Sequence, residues 1–366
     1  MASSSLIYST DTSERLREMI SLYKGKRVLV VTGKSSFHTS GAESMIQALF
    51  KNRDIIVSYY NDFNPNPCRD DLEKGLEEVK SFDPDLFIAV GGGSVMDMAK
   101  LLRFFNSYEG LPESGVYEKK SDIKPLIAIP TTAGTGSETT HFAVLYVNGK
   151  KYSVEHEDII PDYAVILPEL TYRNPAYITA CTGFDALAQA IEAYWNKNAT
   201  QESDCYAEKA VGLLYDTLKK VVISPDSDLR EKMSIGSYWA GRAINITKTT
   251  APHAFSYPFT IHYGIPHGHA VAMTFPSIAE FNIRKGKWPE EKKHVLLDMC
   301  GIDRDTMNRD GAIRSHFLNY IREIGLGVPK KEYDLSLLAG GVNPSRLANN
   351  PAEIDICNIL ATSINE

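Results

Sequence analysis

Four of the chain's nine histidines crowd into one stretch, TTAPHAFSYPFTIHYGIPHGHA, as His253, His262, His267 and His269. Upstream, in TGFDALAQAIEAYW, Asp185 and Gln189 are spaced by one helical turn and so share a face. Imidazole nitrogen together with carboxylate oxygen suits Fe2+, Zn2+ or Mn2+. A single histidine is ordinarily a packed or surface residue. Four of them with an upstream aspartate make a candidate metal centre. The remaining chemistry-bearing segments are rich in glycine and hydroxyls. FIAVGGGSVMDMAK reads as a strand, glycines, a serine and a helix with Asp97 in its first turn. Glycines let backbone approach a ligand closely, and a helix start offers free amides and the positive end of its dipole to a pyrophosphate. PTTAGTGSETT follows another strand. Either loop alone also fits an ordinary strand–helix turn, but two at the carboxyl ends of consecutive strands imply a ligand crevice.

The elements around these segments change character along the chain. In the first half, RVLVVTG, DIIVSYY, DPDLFIAVGGGS and KPLIAIPTTAG read as strands, and KYSVEH and YAVILPE as shorter ones. SGAESMIQALFK, PCRDDLEKGLEEVKSF and VMDMAKLLRFF have helical spacing. Alternating strands and helices predict a doubly wound parallel sheet. From Glu169 onward the periodicity is helical, with AEKAVGLLYDTLKKVV and DGAIRSHFLNYIREIG clearly amphipathic. The expectation is an α/β dinucleotide-binding domain over 1–167 and an all-helical metal- and substrate-binding domain over 168–366.

The 366 residues carry a net charge of −7, and 43% are hydrophobic. A mildly acidic chain is a poor non-specific partner for nucleic acid, so any anionic ligand needs a local basic pocket. The five scattered cysteines include no CxxC pair, which argues against a disulfide framework or thiolate cage and fits a reducing compartment. No signal-peptide core and no membrane-length apolar run is found, so a cytoplasmic protein is expected.

Taken together, GGGSVMDMAK, PTTAGTGSE, the FDAL–AIEAYW helix and IPHGHA, with FNPNP and NNPAEI, resemble the iron-containing (group III) alcohol dehydrogenase family over nearly the whole chain. The resemblance implies a dehydroquinate synthase-like fold. Carried over, the metal ligands fall on Asp185, Gln189, His253 and His267. Gln189 stands where the family usually has histidine, and Tyr257 where many relatives have another. The cofactor positions fall on Asn66, Gly92, Gly93, Ser94, Asp97, Thr131, Thr132, Thr135 and Lys151. Relatives that prefer NAD often carry an acidic residue where this chain has Gly33, followed here by Lys34 and Ser35. NADPH is therefore expected over NADH, with one divalent metal, Fe2+ or Zn2+. Relatives are often dimers or larger, which allows a homodimer, although no feature of the chain marks an interface.

The segment GRAINITKTTAPHAFSYPFT is similar to the phosphonoacetaldehyde reductases (hydroxyethylphosphonate dehydrogenases) of that family. A dianionic phosphonate needs charged donors, which Lys248 and Arg242 would provide with His262 assisting, while Tyr257 would return a proton to the alkoxide. The expected reaction is reduction of phosphonoacetaldehyde to 2-hydroxyethylphosphonate. Three other readings stay open: an alcohol or diol dehydrogenase for an uncharged substrate, a cyclising synthase of the dehydroquinate synthase type, and an inactive nucleotide-binding relative.

Overall fold

The structure is a computed structural model that describes residues 4–8, 12–22 and 25–364. The chain divides into two compact units, one formed by 1–132 with 136–174 and the other by 133–135 with 175–366.

Among the described residues, ten strands lie in the first unit: β1 (Ser5–Ile7), β2 (Arg27–Thr32), β3 (Ile56–Tyr60), β4 (Leu86–Gly91), β5 (Tyr108–Leu111), β6 (Val116–Lys119), β7 (Leu126–Pro130), β8 (Phe142–Val147), β9 (Lys150–Glu155) and β10 (Tyr163–Val165). Six form a parallel sheet in the order β1-β10-β7-β4-β2-β3. Its central strands are buried on both faces, as their continuous apolar runs require. Val28, Val30, Ile88 and Ile127 pack on one side with Leu16, Ile20, Ile46 and Leu49, from helices α1 (Thr12–Leu22) and α3 (Ala42–Phe50). The short α2 (Ser36–Thr39) precedes α3. Leu29, Val31, Phe87 and Ala128 pack on the other side with Leu72, Val79, Met98 and Leu101, from α4 (Arg69–Phe82) and α5 (Gly93–Ser107). The expected doubly wound sheet is therefore present. After β3 the chain crosses to the far side of β2, so strand order reverses between β2 and β4, the position at which such sheets bind ligands.

One expectation needs correction. KYSVEH is a strand, β9, but it pairs antiparallel with β8 in a separate hairpin. The Asn148-Gly149 turn, with φ of 50° and 74°, closes that hairpin and is the asparagine–glycine pair such turns favour. Strand β8, a second hairpin, β5–β6, and the edge strand β1 were not anticipated. Strands β1, β5 and β6 lack the long apolar run that marks the central strands.

No strand follows β10 among the described residues. The second unit contains α6 (Ala176–Trp195), α7 (Gln201–Ile223), α8 (Ser227–Thr247), α9 (Ala251–Tyr263), α10 (His267–Lys285), α11 (Glu290–Met299) and α12 (Ala312–Glu323). Three short helices follow: α13 (Leu335–Gly340), α14 (Pro344–Leu347) and α15 (Ile356–Ile364). Helix α6 is buried almost all round and packs against α7, α8 and α10, so polar groups on it must find partners inside the unit. Among the described residues, no helix is long and apolar enough to cross a membrane.

Candidate metal centre and nucleotide loops

Helices α6, α9 and α10 bring Asp185, His253 and His267 together, with one ligand atom from each lying within 4.8 Å of the others. Nε2 of His253 is 3.0 Å from Asp185 Oδ1, and Nε2 of His267 is 3.7 Å from the same oxygen. The backs of both rings are held. His267 Nδ1 lies 3.3 Å from the Ser256 hydroxyl, and His253 Nδ1 lies 2.5 Å from Glu192 Oε1. Glu192 is fixed in turn: its Oε2 accepts from the Thr250 amide (2.6 Å) and hydroxyl (2.9 Å), and Thr250 Oγ1 accepts from Trp195 Nε1 (2.9 Å). Burial alone would push the His253 pKa down, but Glu192 and Asp185 outweigh it and raise it to about 10. These carboxylates thus gather positive charge at the point where a cation would sit. The donor set fits a divalent ion, and one further observation supports the fit: Gln189 Oε1 is buried without a hydrogen-bond partner among the described residues. The approach of α10 to α6 depends on Gly268, where an added Cβ would lie 1.9 Å from the Cys181 carbonyl oxygen.

In the first unit, Gly33, Gly92–Gly93 and Thr131–Thr132 follow the adjacent strands β2, β4 and β7. Helix α5 opens at Gly93, so its first amides have no intrahelical acceptor. A Cβ on Gly92 would reach 3.4 Å from Thr132 Oγ1, and the buried Thr131 hydroxyl has no partner among the described residues. An open cradle beside orphaned donors suits a phosphate group. Asn66, at φ 62°, donates its amide to Ser94 Oγ (3.1 Å) and so joins this edge. Asp97 has a protein-internal job: it accepts from the Ser137 hydroxyl (2.7 Å) and the Val144 amide (3.1 Å). Burial raises its pKa, against the opposing charges of Lys100 and Lys151. The buried Lys100 completes the fastening, donating to Ser137 O (2.8 Å), Thr140 Oγ1 (2.9 Å) and Phe142 O (2.7 Å). Burial holds its pKa down to about 8.

Residues 3–168 match the family model for iron-containing alcohol dehydrogenases, and residues 179–336 match that for the C-terminal part of the same family. The chain belongs to the iron-containing alcohol dehydrogenase family. A long-chain-alcohol dehydrogenase of Geobacillus thermodenitrificans is 35% identical over 261 residues, covering 69% of this chain and 65% of that protein. An aldehyde-alcohol dehydrogenase of Streptococcus pneumoniae is 30% identical over 308 residues, 77% of this chain but only 35% of the relative. The chain thus spans between about a third and two thirds of these relatives. Among solved structures, sulfoacetaldehyde reductase from Bifidobacterium kashiwanohense, in complex with NAD+, superposes with a TM-score of 0.85 at 30% identity, covering 100% of this chain and 97% of that one.

Within this alcohol dehydrogenase framework the other expected site residues divide. Tyr257 packs flat on His267, ring centroids 5.9 Å apart and planes 10° apart. Lys248 caps α8 at φ 62° and ψ −176°, five residues before His253. Lys151 sits in β9 opposite Tyr146. Ser35 is exposed, and Thr135 falls with the helical unit. Two residues are placed elsewhere. Arg242 donates to Tyr238 Oη (3.0 Å) and Tyr206 Oη (2.9 Å) and lies over the Tyr206 ring, so its fork is spent between α7 and α8. His262 is exposed in the last turn of α9, about 13 Å along the axis from His253 at 1.5 Å per residue. His269 is structural, bonded to Tyr177 Oη (2.9 Å) and Gly327 O (2.8 Å), and burial lowers its pKa.

Glu192 was not singled out from sequence, although it follows Asp185 and Gln189 at the i, i+4, i+7 spacing of one helix face. A carboxylate behind a ligating histidine fixes its tautomer and orientation. Glu192→Gln should therefore weaken metal affinity by about 10- to 100-fold, measured by competition with a chelator. An unchanged affinity would reduce Glu192 to a packing role.

Proposed function

We propose that this protein reduces a small anionic aldehyde to its alcohol with a nicotinamide cofactor, phosphonoacetaldehyde to 2-hydroxyethylphosphonate being the best candidate. The buried Asp185–His253–His267 cluster carries the reading. A divalent ion there, Fe2+ or Zn2+, would polarise a carbonyl oxygen, and a nicotinamide on the loops of the first unit would supply hydride. The chain's own residues do the rest. Glu192, through Thr250 and Trp195, orients His253. Ser256 orients His267. Tyr257, packed against His267, returns a proton to the product oxygen, directly or through water.

Two observations favour an anionic substrate. Lys248 keeps a lysine side chain at a backbone conformation that is nearly reserved for glycine, and the sulfoacetaldehyde reductase is similar over the full chain. Sulfonate and phosphonate present the same three oxygens on a tetrahedral centre. The test follows NADPH and NADH absorbance with phosphonoacetaldehyde, sulfoacetaldehyde and propanal, using wild type and Lys248→Ala. Losing a charged hydrogen bond costs about 1.5–3 kcal/mol, so kcat/KM for the anionic aldehydes should fall roughly tenfold to over a hundredfold. Propanal should be little affected. Equal losses on all substrates, or a wild-type preference for propanal, would overturn the anionic reading. They would favour an alcohol or diol dehydrogenase of uncharged substrates, a reading to which the engagement of Arg242 by tyrosines lends weight.

NADPH is the cofactor proposed, because Gly33 leaves no carboxylate after β2 to repel a 2′-phosphate, and Lys34 and Ser35 are exposed beside it. A Cβ at Gly33 would meet only the Ser36 Oγ closely, at 2.2 Å, and a turn about that side chain's χ1 moves the hydroxyl away. Gly33→Asp should therefore fold and shift preference toward NADH. Wild-type turnover with NADH as good as with NADPH would refute the assignment.

A further inference from the structure

We propose that Gln189 is an oxygen ligand of the metal centre and tilts its selectivity toward Mn2+ and away from Zn2+. The proposal rests on the reading that Asp185, His253 and His267 hold a divalent ion. Gln189 is 4% exposed, and its Oε1 finds no hydrogen-bond donor among the described residues. A buried acceptor without a partner is costly, and native structures rarely leave one unexplained. The neighbours on its helix face show where that oxygen belongs. Asp185, one turn before it, points Oδ1 at both histidines. Glu192, nearly one turn after it, has its oxygens engaged by His253 and Thr250. Between two satisfied carboxylates, the amide oxygen lacks only a cation.

With Gln189 included, the donors are two imidazole nitrogens, one carboxylate oxygen and one neutral amide oxygen. Oxygen donors suit harder ions such as Mn2+, whereas imidazole suits Zn2+ and Fe2+. Absolute affinity still rises from Mn2+ through Fe2+ to Zn2+, so the effect lies in the ratio between ions. Dissociation constants for Mn2+, Zn2+ and, anaerobically, Fe2+ would be measured by competition calorimetry on the full chain as wild type, Gln189→Leu and Gln189→His, with circular dichroism as the check on folding. Gln189→Leu should weaken Mn2+ at least tenfold. Gln189→His should widen the Zn2+ over Mn2+ affinity ratio at least tenfold. The Mn2+ constant for Gln189→Leu staying at its wild-type value, as if Oε1 met only a buried water, would overturn the proposal. So would an unchanged ratio in Gln189→His, which remains decisive if the leucine variant does not fold. His267→Ala separates the two levels: if it binds ions as tightly as wild type, the triad reading itself fails. If it loses them while the Gln189 variants do not differ, only the role of Gln189 falls.

Discussion

Gly268→Ala should cost the protein its metal centre together with about 1–3 kcal/mol of stability. The new methyl would stand 1.9 Å from the Cys181 carbonyl oxygen and 2.8 Å from its carbonyl carbon. Both belong to backbone inside α6, which cannot turn aside as a side chain would. The start of α10 must retreat instead, and the residue beside Gly268 is His267. Carrying its Nε2 away from Asp185 should weaken metal binding by about 10- to 100-fold, in line with the loss expected when a ligand's support is removed. Thermal melting of the metal-free protein and chelator competition on the loaded one test the two parts. A variant as stable and as tightly loaded as wild type would mean that the two helices have room to spare.

His267→Ala should abolish turnover with a far smaller effect on the fold. The side chain is 34% exposed, so its removal leaves no large buried void. A Lewis-acidic ion contributes several kcal/mol of transition-state stabilisation, and at about 1.4 kcal/mol per tenfold its loss amounts to roughly a thousandfold or more in kcat. Elemental analysis should show the ion gone while the melting curve of the metal-free variant stays close to that of the metal-free wild type. A metal-free preparation that retained full activity would defeat the assignment of a metal role.

The central strands and long helices were legible because burial imposes a pattern. Strands covered on both sides, such as β2 and β4, must be apolar at nearly every position, and helices such as α7 and α12 must repeat their apolar residues with each turn. The β8–β9 hairpin also carried its signal, the Asn148-Gly149 pair, but that signal marks a turn and not the sheet its strands join. The candidate cluster was legible because its side-chain chemistry is distinctive: Asp185, His253 and His267, picked out by type and spacing, come together in the structure. Sequence spacing misled where it stood in for distance. Arg242 and His262 lie near His253 in the chain, yet α8 turns the first toward Tyr206, and about two and a half turns of α9 carry the second into solvent. Gly268 was invisible for a different reason: its role comes from a carbonyl on another helix, which no local pattern encodes.

The backbone at Lys248 bears on how this protein would change under selection. Its φ of 62° and ψ of −176° lie where a side chain costs on the order of 1–3 kcal/mol and glycine does not. That cost exceeds the roughly 0.5–1 kcal/mol that a more flexible unfolded chain takes back. A population of variants sorted for heat resistance alone would therefore drift toward glycine at 248, whereas one sorted for turnover of the proposed anionic aldehyde would hold the lysine. The residue at this corner would then record which of the two pressures a lineage had met.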